Sequence, residues 1–432
     1  MRSGSLILVL LGTSFADESV TKSRQVTRDN TVSLPVGSDA YGDNLFYTNV
    51  SLGTPPQSFE VEFRTVGNEC WVPIGALQDC GPAPFLCRGS GGYNKSLSTS
   101  MKDLHSNFTV SKSIEPNLNI MGEFITDTLV IGNTTVDSMK IGILDVDATQ
   151  NILGLGYGEA NSSFISLTEA LIGAGTIASP AFSMYVENPI IPSTRHTEPG
   201  ERGTILFGGV NKSKYKGTLH SLPIVENAAG NRKAFRVNMT GFSINGTLIS
   251  PQKLPTPALF NPSRSYFYVP EFIAGTIYSK LGVTEIPMTG PASIPCNTIF
   301  SNTTFTFEFG AAKLTLDSSL FIERHSVFDS EDVCTLGVIS SSDSSVILGT
   351  NFLQHVYAVY DMGKEEVSLA ERNWNSTEDD IFEITSGKDT DNTDGAEAKD
   401  ESEDKKSAGS HISKSTVPQL SLYLFGIWAF IF

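Results

Sequence analysis

The strongest constraint on the fold is a short stretch of sequence that occurs twice. In the first copy, RTVGNECWVP, Arg64 lies nine residues before a proline, and in the second copy, NPSRSYFYVP, Asn261 lies nine residues before another. Each copy follows an apolar, strand-like run. An Ile-Leu-Gly triplet also repeats: Gly349 is 195 residues after Gly154, and Asn261 is 197 residues after Arg64. Because two features repeat with nearly the same offset, they predict two similar halves whose related loops meet near a pseudo-twofold axis.

The pattern between about residues 43 and 372 is typical of β structure. Short runs rich in Val, Ile, Thr and Phe, such as TDTLVIGNTTV and GTILFGGV, alternate with Gly, Asn and Pro. Two short helices are the exceptions, at residues 166–175 and 270–282, and Gly282 ends the second. The sequence therefore predicts a large all-β fold with few helices.

Both ends of the chain resemble targeting signals. Residues 1–16 combine one basic residue, an apolar run and a small-residue ending, which predicts a secretory signal peptide, and 17–42 are a short pro-region or N-terminal extension. Residues 373–410 are predicted to form an acidic disordered stalk, with Ser407, Ala408, Gly409 and Ser410 as the candidate GPI attachment region. The apolar tail within residues 411–432 is then a removed GPI signal, because it is short for a span of about 20 residues; an ordinary tail anchor is the alternative.

Charge, sequons and cysteines indicate a secreted protein and exclude nucleic acid as a partner. The net charge of -17 is the wrong sign for binding nucleic acid. Five cysteines suit an oxidising compartment, where Cys80 and Cys87 could close a small loop, Cys296 and Cys334 a larger one, with Cys70 left as a buried free thiol. Ten N-x-S/T sequons predict N-glycosylation at Asn49, Asn94, Asn107, Asn133, Asn161, Asn211, Asn238, Asn245, Asn302 and Asn375.

The order of segments such as YTNVSLGTPPQSFEVEF, WVP, NILGLGYG and VILGTNFLQHVYAVYDMGKEEVSLA resembles the pepsin-like aspartic peptidase family over about 330 residues. The resemblance implies a two-lobe β fold with double-ψ β-barrel-type lobes at about 43–215 and 216–372, and a central cleft. It also implies disulfides Cys80–Cys87 and Cys296–Cys334. With the C-terminal signal, the chain is similar to the GPI-anchored, yapsin-like fungal members.

The resemblance fails where the chemistry of that family occurs. Each lobe of a pepsin-like enzyme supplies an Asp-Thr/Ser-Gly loop, and the paired aspartates activate water and polarise the amide. The matching positions here are Arg64 and Asn261, so no catalytic residue is assigned. Thr65 keeps the hydroxyl of the first loop, but Val66 stands in place of its glycine, which predicts a local change of backbone.

Other parts of the predicted site also depart from the family. The second loop reads Asn261-Pro262-Ser263, and the flap segment 108–124 has neither the tyrosine nor the glycine-rich tip. Glu62 shares the strand face of Arg64, and Glu69 lies in the turn. Neither can form an acid pair across the two halves, because the matching position of the second half is Asn261, which does not titrate. Without another catalytic motif or metal-ligand spacing, we expect no metal and no cofactor.

Three hypotheses follow. The first is an inactive surface protein whose cleft, at Arg64, Thr65, Asn261, Ser263 and Arg264, binds an acidic peptide, a protein or a cell-wall glycan. A purely structural Arg64, paired with Glu62 or Glu69 and bonded to Asn261, is the simpler version. The second is a weak or unconventional aspartic-type endopeptidase, and the third a structural or adhesive wall glycoprotein, favoured if bulky residues such as Tyr266 and Phe267 fill the cleft. All three imply a GPI-anchored monomer at the plasma membrane or cell wall.

Overall fold

The protein is described here from a computed structural model. The structure describes residues 30–38, 46–74, 92–109, 121–144, 151–158, 161–187, 200–226, 234–249, 254–288, 290–325, 332–342 and 345–385. Several predictions fall outside these residues. They concern the signal peptide, Cys80 and Cys87, the flap tip at 110–120, the attachment region Ser407–Ser410 and the C-terminal tail.

The first half of the chain forms twelve strands and one α-helix within the described residues. A Ser166 and Glu169 capping box begins the helix α1 (Leu167–Gly173), as predicted from 166–175. The strands are β1 (Val32–Ser38), β2 (Tyr47–Leu52), β3 (Gln57–Arg64), β4 (Cys70–Pro73), β5 (Lys102–Thr109), β6 (Met121–Ile131), β7 (Thr134–Leu144), β8 (Ile152–Gly154), β9 (Ala181–Val186), β10 (Gly200–Phe207), β11 (Gly209–Asn211) and β12 (Tyr215–Pro223).

The second half adds fifteen strands and two α-helices to the described part. The helix α2 (Glu271–Leu281) ends at Gly282 in a left-handed conformation with φ 72°, which confirms the prediction from 270–282, and α3 (Thr350–Leu353) was not predicted. The strands are β13 (Arg236–Met239), β14 (Gly241–Ile244), β15 (Thr247–Leu248), β16 (Thr256–Phe260), β17 (Phe267–Pro270), β18 (Ala292–Ile294), β19 (Thr304–Phe309), β20 (Ala312–Asp317), β21 (Ile322–His325), β22 (Val333–Leu336), β23 (Val338–Ser341), β24 (Val346–Leu348), β25 (Val356–Asp361), β26 (Glu366–Arg372) and β27 (Ile381–Glu383).

The two halves share one sheet and repeat one pattern of strand pairing. In the first half β3 runs parallel to β8, β4 antiparallel to β8 and β4 parallel to β7. In the second half β16, β24, β17 and β23 pair in the same way. Antiparallel pairing of β9 with β25 joins the halves inside a thirteen-stranded sheet. The predicted all-β fold with two related lobes is confirmed.

The strand β1 shows that the predicted N-terminal extension is partly folded. Val32, Leu34 and Val36 are at most 3% exposed, and β1 lies between β10 and β2 in the large sheet. The alternation of apolar residues in this stretch is typical of a half-buried strand. Residues 32–38 therefore belong to the folded body rather than to a separate extension.

The predicted acidic stalk also begins later than the sequence indicates. Residues 373–385 fold back onto the body, where β27 pairs antiparallel with β11 and Ile384 is 7% exposed. Composition hides this because the groups that hold the segment lie more than 150 residues earlier in the chain, at Gly208, Lys212 and Lys214. The stalk prediction is wrong for residues 373–385, and the remainder of the stalk lies outside the described residues.

His355, which follows α3, lies in the interior as a neutral imidazole. The side chain is 6% exposed, and its Nε2 atom has no hydrogen-bond partner among the described residues. Its ring centroid is 6.1 Å from that of Trp374. Burial lowers the pKa of His355 from 6.5 to about 4, because the charged form would lose its hydration.

This lowered pKa predicts an acid-sensitive free energy of unfolding. The unfolded chain binds a proton near pH 6.5 and the folded chain only near pH 4, so stability is full above the unfolded pKa and falls with pH through this window. The cost is about 2 kcal/mol as the pH falls from about 6.5 to 4.5. His355→Phe should remove this contribution to the slope in denaturant titrations at several pH values, while His105→Phe, an exposed control, should keep it. Parallel curves for wild type and His355→Phe would contradict the assignment.

Candidate functional site

Two glycines hold the repeated loops against the strands beneath them. A Cβ added to Gly154 would lie 2.5 Å from the backbone carbon of Asn68, and one added to Gly349 would lie 2.3 Å from the carbonyl oxygen of Arg264. Real Cβ atoms do not approach so closely, so both positions require glycine. The repeated Ile-Leu-Gly triplet therefore marks the place where each loop crosses a strand of its own half.

The two loops meet through a hydrogen bond between the halves. The Thr65 hydroxyl donates to the backbone oxygen of Phe260 at 2.8 Å, in a buried position. Thr65 follows Arg64 and Phe260 precedes Asn261, so positions 64 and 261 lie on neighbouring loops, as the repeat predicts. The counterpart of Thr65 in the second half is Pro262. Because proline has no hydroxyl, it cannot donate the equivalent hydrogen bond to the first half.

This bond should contribute measurably to stability. Thr65→Val keeps the side-chain shape but leaves the Phe260 oxygen without its buried donor, which should lower the free energy of unfolding by about 1–2 kcal/mol. Thr218→Val, an exposed strand position, serves as the control and should change stability by less than about 0.5 kcal/mol. Chemical denaturation of the three proteins measures both values. Equal losses in the two variants would show that the inter-half bond is not formed.

Arg64 is held by its own half of the molecule. Its Nε lies 3.4 Å from Oε1 of Glu62, and the two side chains are 16% and 2% exposed. The guanidinium carbon lies 5.7 Å from the centre of the Trp71 ring, within reach of a cation–π interaction. Glu62 thus supplies a buried counter-charge, and Trp71 supplies an aromatic ring face on which the guanidinium packs. Of the partners considered in the sequence, Glu62 is confirmed; the contact with Trp71 was not anticipated.

The Asn261 side chain shapes its own turn. Its amide oxygen accepts from the backbone N–H of Ser263 at 3.0 Å, and the side chain is 8% exposed. Its backbone N–H donates to Leu348 at 3.0 Å, and its carbonyl accepts from Arg264 at 3.2 Å. These contacts form a turn that asparagine favours, and an amide cannot exchange a proton as a carboxyl group does.

The other predicted cleft residues differ in exposure. Ser263 is half-buried, and its hydroxyl has no hydrogen-bond partner in the described part of the chain. Arg264 is exposed, with its guanidinium carbon 5.9 Å from the ring centre of Tyr268. The structure thus brings Arg64, Thr65, Asn261, Ser263 and Arg264 onto two adjoining loops.

The replacement of the loop glycine by Val66 causes no left-handed strain. Left-handed backbone occurs one residue later, at Gly67, with φ 107°. The glycine required by this turn is therefore present in the sequence, displaced by one position.

Two bulky residues proposed as fillers of the cleft have other contacts. Phe267 is fully buried among aromatic rings of the second half, with centroids 5.9 Å from Phe242 and 5.2 Å from Phe307. The Tyr266 hydroxyl lies 3.4 Å from an oxygen of Glu323. Phe267 is thus a core residue, so its bulk gives no support to a filled cleft.

The cysteines follow the sequence prediction where the structure describes them. Cys296 and Cys334 form a disulfide with their Cα atoms 5.1 Å apart, which confirms this pairing. Cys70 is free and buried, and burial raises the pKa of its thiol to about 12. A thiol with so high a pKa is a poor nucleophile, so Cys70 is a core residue.

The sequons separate clearly by exposure. Asn211 is fully buried, and its Nδ2 already donates to Oδ1 of Asp379 at 2.8 Å. A glycan on this nitrogen would have no space in the folded protein, so the prediction for Asn211 is inconsistent with the structure. The other nine sequon asparagines are exposed, and their glycosylation stays a prediction.

The described residues contain neither a cluster of metal ligands nor a membrane-spanning helix. No group of three or more His, Cys, Asp or Glu side chains there could hold a metal ion. No described helix is long and apolar enough to cross a membrane.

Comparison with known proteins gives a consistent result. A family model described as eukaryotic aspartyl protease matches residues 45–372. The chain is 30% identical over 384 residues to a probable aspartic-type endopeptidase, opsB, of Aspergillus oryzae, covering 84% of this chain and 75% of the relative. It is 27% identical over 354 residues to an acid protease of Saccharomycopsis fibuligera, covering 77% and 82%. It is also 27% identical over 334 residues to secreted aspartic protease 8 of Candida albicans, covering 76% and 75%.

Proposed function

Because the chain belongs to the eukaryotic aspartyl protease family but carries Arg64 and Asn261 on its two central loops, we propose that it is a catalytically inactive member. The chemistry of aspartic peptidases needs two carboxyl groups close enough to share a proton. One deprotonates the attacking water, and the other polarises the amide carbonyl. Neither a guanidinium nor an amide can perform the first of these steps at acid pH.

The observation that carries the proposal is the ion pair between Arg64 and Glu62. The nearby acid, Glu62, is 2% exposed and compensates the arginine at 3.4 Å, so it is engaged in holding Arg64. Asn261 is engaged in a turn, where its oxygen accepts from Ser263. These contacts favour a stable non-catalytic arrangement over an acid–base pair that is waiting for substrate.

The same contacts weaken the hypothesis that Arg64 selects acidic ligands. A cation that is neutralised by a buried carboxylate and is only 16% exposed has little net field to offer an anion. We therefore assign Arg64 a structural role. If the cleft binds a peptide, a protein or a cell-wall glycan, other cleft residues provide the recognition.

We place this protein at the cell surface, secreted through its N-terminal signal and attached through a GPI lipid. The sequons, the disulfide and the C-terminal signal support this location. The relatives named as endopeptidases keep one alternative open, a weak peptidase that uses other groups. A cleavage assay on a denatured protein in acid, with and without pepstatin, separates the two functions.

A further inference from the structure

The segment from Asn373 to Thr385, here called the strap, lies beyond the part of the chain that matches the family model. It nevertheless folds against the first half through its backbone. The Asn373 N–H donates to Lys214 at 3.0 Å, the Lys212 N–H donates to Asp380 at 2.7 Å, and the Ile384 N–H donates to Gly208 at 2.7 Å. The strap is thus anchored at its beginning, middle and end.

The buried ammonium group of Lys214 binds the strap. The side chain is 5% exposed, and its Nζ lies 2.9 Å from Glu187 on the body and 3.6 Å from Asp379 on the strap. The same nitrogen donates to the strap carbonyl of Ser376 at 3.4 Å. Since a buried ammonium needs partners, these strap atoms complete its environment.

Asn211 holds the strap with all the polar atoms of its amide. Its Nδ2 donates to Asp379 at 2.8 Å and approaches the Tyr185 hydroxyl at 3.5 Å. Its Oδ1 accepts from the backbone N–H of Asp380 at 3.0 Å and from the Ser213 hydroxyl at 2.8 Å. Asn211 and Ser213, the two residues that define the Asn-Lys-Ser sequon, are therefore both engaged in hydrogen bonds of the folded protein.

We propose that the strap is a fixed attachment that sets where the C-terminal tether leaves the body, and that it requires Asn211 to stay unglycosylated. Without the strap, the tether would begin at Arg372, at the end of β26 in the sheet shared by both halves. With it, the chain is held as far as Ile384, whose N–H is bonded to Gly208 in the first half. The existence of a tether rests on the proposed surface anchoring, whereas the attachment of the strap does not.

Amide hydrogen exchange on the whole ectodomain tests the attachment. Asp379→Ala removes the partner of Lys214 and Asn211, so exchange of the amides in residues 376–384 should become at least about tenfold faster. Asp380→Ala is the matched control, because Asp380 bonds the body through its backbone and should leave this rate unchanged. Lys214→Met should act like Asp379→Ala, with its Tm checked to show that the fold is kept. Equal exchange rates in Asp379→Ala, Lys214→Met and wild type would overturn the attachment.

Glycopeptide mass spectrometry of the secreted protein tests the sequon. Enzymatic deglycosylation in ¹⁸O water labels asparagines that carried a glycan, so Asn211 should stay unlabelled while an exposed site such as Asn161 is labelled. A folded, secreted protein with an occupied Asn211 would overturn the inference. A protein with no labelled sequon at all would count against the proposed secretion instead, and the exchange experiment would still decide whether the strap is attached.

Discussion

The purified ectodomain should leave a denatured protein substrate uncut between about pH 3 and 7, under conditions in which an active aspartic peptidase digests it. Loss of both members of an acid–base pair should reduce the rate by at least about 10⁴-fold. The physical reason is that Arg64 and Asn261 cannot exchange the proton that the reaction moves twice. The measurement is the rate at which new amino termini appear, with and without pepstatin.

Two controls make this result interpretable. The ectodomain should show a cooperative unfolding transition at the assay pH, since burial of His355 lowers stability in acid. Any residual cleavage should be compared in wild type and in Glu62→Gln, because Glu62 is the buried acid nearest to Arg64 in sequence on the same strand. Cleavage that pepstatin inhibits would refute inactivity, and cleavage that Glu62→Gln abolishes would support the weak-peptidase alternative.

Replacing Arg64 by methionine should destabilise the protein by about 3 kcal/mol, as expected when one member of a buried ion pair is removed. Glu62, at 2% exposure, would stay buried but lose its cation, while Trp71 would lose the guanidinium on its ring face. The measurement is the free energy of unfolding from chemical denaturation near pH 7. Arg264→Met, at an exposed arginine of the equivalent loop, should change stability by less than about 0.5 kcal/mol.

A double-mutant cycle assigns this loss to the pair. Arg64→Met combined with Glu62→Gln should be less destabilised than the sum of the two single variants, because the double variant leaves no charge unpaired. Strict additivity would show that the two side chains are not coupled. The structural role assigned to Arg64 would then lose its support, and the anion-binding version of the cleft would regain it.

The repeat was the most informative part of the sequence because it constrained distant residues at once. It predicted that the loops at Arg64 and Asn261 lie together, and the bond from Thr65 to Phe260 confirms it. The two Ile-Leu-Gly glycines are explained by the same crossing geometry. The helices α1 and α2 were predictable because their caps and stops, Ser166 and Gly282, act locally.

The strap was missed for the opposite reason. Four of its thirteen residues are acidic and most are exposed, so it resembled the acidic segment that follows. Its attachment depends on Asn211 and Lys214, more than 150 residues earlier in the chain. Glycosylation was predicted at Asn211 for the same reason. A three-residue motif carries no information on whether its asparagine is buried.

The sequence by itself determined the family, the two related β halves and the absence of acids at residues 64 and 261, since these are properties of residue identity and spacing. Only the tertiary structure decided what replaces the acids and what becomes of the chain after β26. Arg64 is compensated by Glu62 and Trp71, and residues 373–385 are held by Asn211 and Lys214. The partners of a buried charge or amide depend on burial and on the arrangement of neighbouring strands, so they emerge only when the chain is folded.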